Sequence, residues 1–120
     1  MSKEFGAHRT VVGAHYGLRD WLWQRGTAVA MALFTVLVLI QLLRPGPLDY
    51  ARWQALFMPL WMRLIVCTVF IGSLVHAWVG ARDIAMDYLR PTWLRLLVEG
   101  LVICWLLFCG AWFLHVLWRI

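Results

Sequence analysis

The segment GSLVHAWVGARDIAMDY, residues 72–88, combines a long apolar run with one histidine in its middle and an Asp-Tyr pair at its end. On an α-helix, the step from His76 to Asp87 turns through about 1100°, so Asp87 lies almost directly below His76, roughly 16 Å away along the axis. Gly72 and Gly80 stand four residues on either side of His76, on the same face. A flat group bonded to an imidazole needs clearance above and below the ring, and two glycines provide it. The segment therefore predicts a haem-ligand helix with a second polar site at its end.

Three long runs without a charged residue dominate the 120-residue chain: residues 26–43, 64–81 and 100–118. They raise the hydrophobic share to 63% and the mean hydropathy to +0.75. Each run has about the length needed to cross a hydrocarbon core of ~30 Å as a helix, and none shows the polar stripe of a soluble bundle helix. The sequence predicts an all-α integral membrane protein with three transmembrane helices.

Turn-forming residues mark the expected helix ends. Asp20 offers an N-cap for the first helix, and the RPGP turn at residues 44–47 ends it. Residues 44–57 are expected to form the one sizeable loop, Pro59 suits the first turn of the second helix, and Pro91 separates the second helix from the third. The predicted organisation is an N-terminal cytoplasmic arm over residues 1–19 and a membrane anchor over residues 20–120, with helices at about 20–43, 58–89 and 91–118.

Basic residues decide the expected orientation. The net charge is +5, but the basic residues are spread around helix ends instead of forming a patch, which favours topology signals over nucleic-acid binding. The arm and the turn between the second and third helices hold Lys3, Arg9, Arg19, Arg25, Arg82, Arg90 and Arg95. The opposite side holds Arg44, Arg52, Arg63 and Arg119. The excess predicts a multi-pass protein of a bacterial inner membrane, or alternatively of the mitochondrial inner membrane, with a cytoplasmic N-terminus and a periplasmic C-terminus.

Four side chains are candidates for chemistry, and each has a simpler alternative. His76 lies deep in a span, where an ionisable residue suggests a function by default, although a hydrogen bond to a neighbouring helix explains it equally well. Asp87 is consistent with a solvated helix end, and Tyr88 with an interfacial aromatic residue. Arg25, one turn inside the first helix, either extends to the lipid headgroups or points inward to meet an anion such as a haem propionate.

Four short segments carry a family resemblance: GLRDW at residues 17–21, QRGTA at residues 24–28, HAWVG at residues 76–80 and DYLRP at residues 87–91. In this order and spacing, the chain resembles the hydrophobic membrane anchor subunit of succinate dehydrogenase, the smaller cytochrome b subunit of respiratory complex II. The combination of His-x-Trp-x-Gly with a downstream Asp-Tyr is the specific part of the pattern. Arg19 departs from some relatives that have histidine there, so the resemblance implies no histidine-dependent contact at that position.

The resemblance implies roles at the matching positions. His76 corresponds to one axial ligand of haem b, while the other comes from the larger cytochrome b anchor subunit. Tyr88 corresponds to a tyrosine whose hydroxyl hydrogen-bonds a carbonyl oxygen of ubiquinone, and Asp87 supports that quinone site. Arg25 corresponds to an arginine that approaches a haem propionate.

The function implied is that of a membrane anchor for succinate dehydrogenase, in the tricarboxylic acid cycle and the respiratory chain. The chain would dock the flavoprotein and iron–sulfur subunits to the membrane, and its helices would pack with the larger anchor as part of a heteromeric helical bundle. It has no flavin fold and no cluster-binding cysteines, so we expect it not to be catalytic alone. Two alternatives stay open: the anchor of a fumarate reductase, and a haem-free membrane scaffold in which His76 is a packing residue.

Overall fold

The computed structural model describes the backbone of residues 14–120 and the side chains from residue 17 onward. This part of the chain is helical and contains no strand. The helices are α1 (Ala14–Leu42), α2 (Tyr50–Phe57), α3 (Leu60–Tyr88) and α4 (Thr92–Arg119). Gly17–Leu42, Leu60–Tyr88 and Thr92–Arg119 are long and apolar enough to cross a membrane. The prediction of an all-α protein with three transmembrane helices is confirmed.

The first helix begins before its expected start. α1 begins at Ala14, so the predicted N-cap at Asp20 is wrong, and the expected arm over residues 1–19 overlaps the helix. No proline interrupts residues 14–19, so nothing in the backbone prevents the helix from continuing through them. Residues 1–13 of the arm lie outside the described residues.

The connection between α1 and α3 is more ordered than the loop predicted over residues 44–57. It contains α2, whose N-cap residue Asp49 accepts a hydrogen bond from the backbone N–H of Arg52 at 2.9 Å. The Arg52 guanidinium donates to the carbonyl oxygens of Gln41 at 2.7 Å and Arg44 at 2.8 Å. The Gln41 carbonyl belongs to the last turn of α1, where a helix leaves its carbonyls without intrahelical partners, and Arg44 lies in the turn that follows. Arg52 therefore ties the end of α1 to the start of α2.

The third helix lies in the middle of the molecule, because α1, α2 and α4 each pack against it. The Phe70 ring of α3 stacks on the Phe113 ring of α4, with centroids 3.8 Å apart. The buried core is small, and it lies at the end that holds α2; it consists of Phe57, Met62, Val66 and Leu117. Many large apolar side chains elsewhere are exposed, as is normal for helices whose neighbours are lipid or other membrane helices.

Candidate functional site

The two glycines that flank His76 face α1. A Cβ atom built on Gly72 would lie 3.7 Å from Cγ2 of Thr27, and one built on Gly80 would lie 3.4 Å from Nε2 of Gln24. Small residues of this kind let two membrane helices approach closely. In this structure, therefore, α1 side chains occupy the space beside the glycines on the His76 face.

His76 is half-buried, and one of its ring nitrogens is held by α1. Nδ1 lies 3.1 Å from Oγ1 of Thr27 and 3.2 Å from the backbone carbonyl oxygen of Gln24. The Thr27 hydroxyl donates its proton to the carbonyl oxygen of Trp23 at 2.6 Å, so towards His76 it acts as an acceptor. A backbone carbonyl also only accepts. Both neighbours of Nδ1 are acceptors, and this assigns a ring proton to Nδ1.

The other ring nitrogen of His76 has one distant polar neighbour. Nε2 of His76 lies 3.5 Å from Nε2 of the Gln24 amide, which is at the long limit for a hydrogen bond. A metal-binding histidine characteristically donates its second ring N–H to a carbonyl or similar acceptor, and this fixes the tautomer and orientation of the ring. His76 has that arrangement, and so its donor set fits an axial ligand of haem iron.

A cleft of about 570 Å³ between α1 and α3 brings His76 and Arg25 together. Its lining residues are Gly17, Asp20, Trp21, Gln24, Arg25, Ala28, His76 and Asp83. The Arg25 guanidinium carbon lies 5.7 Å from the centroid of the Trp21 ring, and Arg25 is exposed at the rim. The cleft therefore joins an imidazole to a guanidinium cation, which matches the two groups that haem presents, its iron and its carboxylates.

An ion pair joins the same two helices nearby. Nη1 of Arg82 on α3 lies 3.3 Å from Oδ2 of Asp20 on α1, with about a third of each side chain exposed. Asp20 is thus a cross-helix partner instead of the helix cap that its sequence context suggested. Partly exposed pairs of this kind contribute little stability, so the pair is one polar contact among the apolar ones that join α1 to α3.

Asp87 and Tyr88 lie apart from the cleft, at the C-terminal end of α3. Both are exposed, and the Tyr88 side chain is 79% accessible. Tyr88 is rotated ~120° around the helix from His76, so the two side chains occupy different sectors of α3. The chain brings His76 and Arg25 into one cleft but does not bring Tyr88 into it.

Two polar residues at this site, Thr27 and Gln24, were not identified from the sequence. Thr27 is 7% accessible, and Gln24 Oε1 is buried with no hydrogen-bond partner among the described residues. The available indication was the cluster of small residues around Thr27, in the GTA triplet of residues 26–28. Small residues next to a polar one are typical of a close contact between membrane helices.

Comparison with known proteins matches the chain to one family of membrane subunits. Residues 1–110 match the family described as succinate dehydrogenase/fumarate reductase transmembrane subunit. A curated relative, the succinate dehydrogenase hydrophobic membrane anchor subunit of Coxiella burnetii (strain RSA 493 / Nine Mile phase I), is 37% identical over 102 residues, which cover 85% of this chain and 89% of the relative. Both matches confirm the resemblance carried by the HAWVG and DYLRP segments.

Proposed function

This chain belongs to the succinate dehydrogenase/fumarate reductase transmembrane subunit family, and we propose that it binds haem b and ubiquinone as the smaller anchor of a succinate dehydrogenase. It is a multi-pass membrane subunit of an oxidoreductase complex, and we propose that it is not catalytic alone. The observation that carries the proposal is the orientation of His76, whose Nδ1 is held by acceptors on α1 while Nε2 meets only the Gln24 amide, at 3.5 Å.

His76 and Arg25 are the residues of this chain that would hold the haem. Nε2 of His76 would bind the iron on one side, and the larger cytochrome b anchor subunit would supply the second axial ligand. Arg25, which lines the same cleft, would pair with a propionate carboxylate. Haem b, when bound, accepts and donates one electron.

Tyr88 and Asp87 would form this chain's share of the quinone site. A quinone is apolar and carries two carbonyl acceptors, so it suits an apolar pocket with one well-placed donor. The Tyr88 phenol donates a hydrogen bond to one carbonyl, and Asp87 supports the site beside it. The exposure of Tyr88 in this chain is consistent with partner subunits that supply the remaining walls.

The proposed orientation follows from the distribution of basic residues. It places the N-terminus and the Asp87–Tyr88 end of α3 in the cytoplasm, and the C-terminus in the periplasm of a bacterial inner membrane. The iron–sulfur and flavoprotein subunits would then dock on the cytoplasmic side, next to Tyr88. Electrons from the iron–sulfur subunit and two protons from the same side would meet the quinone at this end.

A haem-free scaffold is the second candidate, and it is favoured by one observation. The Gln24 amide lies 3.5 Å from Nε2 of His76, so both ring nitrogens have a polar neighbour on α1, as those of a purely structural histidine do. A fumarate reductase anchor is also consistent with the family description, whereas the name of the Coxiella burnetii relative favours succinate oxidation.

Purification of the tagged chain in mild detergent tests the proposal. We expect three further proteins to co-purify: a flavoprotein, an iron–sulfur protein and a larger membrane subunit. We also expect a haem Soret band that shifts to longer wavelength when the haem is reduced. The same four proteins without a Soret band would support the scaffold, and a chain that purifies alone as a stable species would contradict the anchor role.

A further inference from the structure

Thr27 is the polar residue that α1 buries against α3. It is 7% accessible, and within residues 17–120 it is the one buried side chain that is polar. Burying a hydroxyl costs free energy unless the group finds hydrogen-bond partners. Thr27 finds them in two directions, towards the Trp23 carbonyl on its own helix and towards His76 on α3.

The three groups form a directed chain of hydrogen bonds. His76 Nδ1–H donates to Oγ1 of Thr27, and the Thr27 hydroxyl donates to the Trp23 carbonyl oxygen. A hydroxyl that donates its own proton becomes a better acceptor, because successive hydrogen bonds polarise one another. The short 2.6 Å bond from Thr27 to Trp23 therefore strengthens the bond that Thr27 accepts from His76.

We propose that Thr27 is a positioning residue for His76, which sets the tautomer and basicity of the imidazole and directs its Nε2 lone pair to the haem iron. This inference rests on the proposed haem ligation. When a metal-binding histidine loses the acceptor of its second ring N–H, the ring donates electrons to the metal less well. The loss typically lowers metal affinity 10- to 100-fold. The Gln24 carbonyl, which also accepts from Nδ1 at 3.2 Å, remains in a Thr27 variant, so we expect an effect of at most about tenfold.

The chain contains matched control residues. Thr35 Oγ1 donates to the carbonyl of Met31 at 2.8 Å, and Thr68 Oγ1 donates to the carbonyl of Leu64 at 2.8 Å. Both make the same bond to their own helix as Thr27 does, but both are exposed. Changing them to valine removes that local bond and leaves the surroundings of His76 intact.

The experiment compares Thr27→Val with Thr35→Val in the purified complex. Valine keeps the methyl group that packs near Gly72 and removes the hydroxyl. We expect Thr27→Val to favour reduced haem about three- to tenfold, a rise of about 30–59 mV in the midpoint potential, with a changed low-spin ferric electron paramagnetic resonance spectrum. Thr27→Ser should restore both properties, and Thr35→Val should change neither.

Three outcomes bear on the inference. A Thr27→Val complex with the potential and spectrum of Thr35→Val would overturn the positioning role, while the ligation by His76 would stand. A His76→Ala complex that keeps its low-spin haem would overturn the ligation and this inference with it. If Thr27→Val does not assemble, Thr27→Ala removes the same hydroxyl without an added methyl, and its potential decides in the same way.

Discussion

Tyr88→Phe isolates the hydrogen bond proposed for the quinone. The phenol has no hydrogen-bond partner among the described residues, and its side chain is 79% accessible. Phenylalanine keeps the ring and removes only the hydroxyl, so the fold of this chain loses no contact. We therefore expect normal assembly and normal haem content in the variant.

The size of the effect follows from the kind of bond lost. As the quinone is reduced, negative charge builds on the oxygen that accepts from Tyr88, and the bond strengthens into one to a charged group. Hydrogen bonds to charged groups contribute about 1.5–3 kcal/mol, and 1.4 kcal/mol corresponds to a factor of ten. Quinone reduction should therefore fall by about 10- to 150-fold in Tyr88→Phe.

The assay is succinate-driven ubiquinone reduction by the purified complex, compared with succinate oxidation by a water-soluble acceptor. The second activity should be unchanged, because that chemistry lies in the soluble subunits. Tyr50→Phe is the matched control, since Tyr50 is also exposed, at 69%, but lies on α2 at the opposite end of α3. Full quinone reduction with an unchanged KM in Tyr88→Phe would refute the role of Tyr88 and leave it an interfacial aromatic residue.

Three further substitutions test other parts of the account. Arg25→Gln should lower haem retention without loss of the complex, measured as the haem-to-protein ratio after detergent washing; full retention would remove Arg25 from the propionate site. Asp87→Asn should lower quinone reduction less than Tyr88→Phe, measured in the same assay. Arg52→Ala, which removes the donors to the Gln41 and Arg44 carbonyls, should destabilise the chain by about 1–3 kcal/mol, seen as a lower midpoint of thermal unfolding by circular dichroism.

The three spans were predictable because uncharged runs of about twenty residues have few structural alternatives to a membrane helix. The short helix α2 was not predicted. Its N-cap Asp49 and the apolar residues Tyr50, Trp53 and Phe57 have helical spacing, but eight residues between turn-forming segments give a weak periodic pattern. Asp20 was misassigned because a capping residue type also serves as an ion-pair partner, and only the packing of α1 on α3 distinguishes the two roles.

Only part of the candidate site could be predicted from the sequence, because the rest depends on how α1 packs on α3. His76 and Arg25 stand out because they are polar side chains in apolar surroundings. Thr27 and Gln24 depend on which face α1 turns towards α3, and α1 is apolar on most sides, so its periodicity does not specify that face. A cross-helix hydrogen bond of this kind becomes visible only when the rotation of both helices is known.

The central claim is that His76 binds the haem iron. Its most direct test is a comparison of the absorption and electron paramagnetic resonance spectra of the His76→Ala complex with those of its control, His115→Ala. His115 is exposed on α4, far along the chain from the cleft residues. We predict that His76→Ala loses the bis-histidine low-spin spectrum or converts to a high-spin form, that His115→Ala keeps the native spectrum, and that both oxidise succinate with a water-soluble acceptor at the normal rate. A His76→Ala complex with full haem content and an unchanged low-spin spectrum would contradict the account.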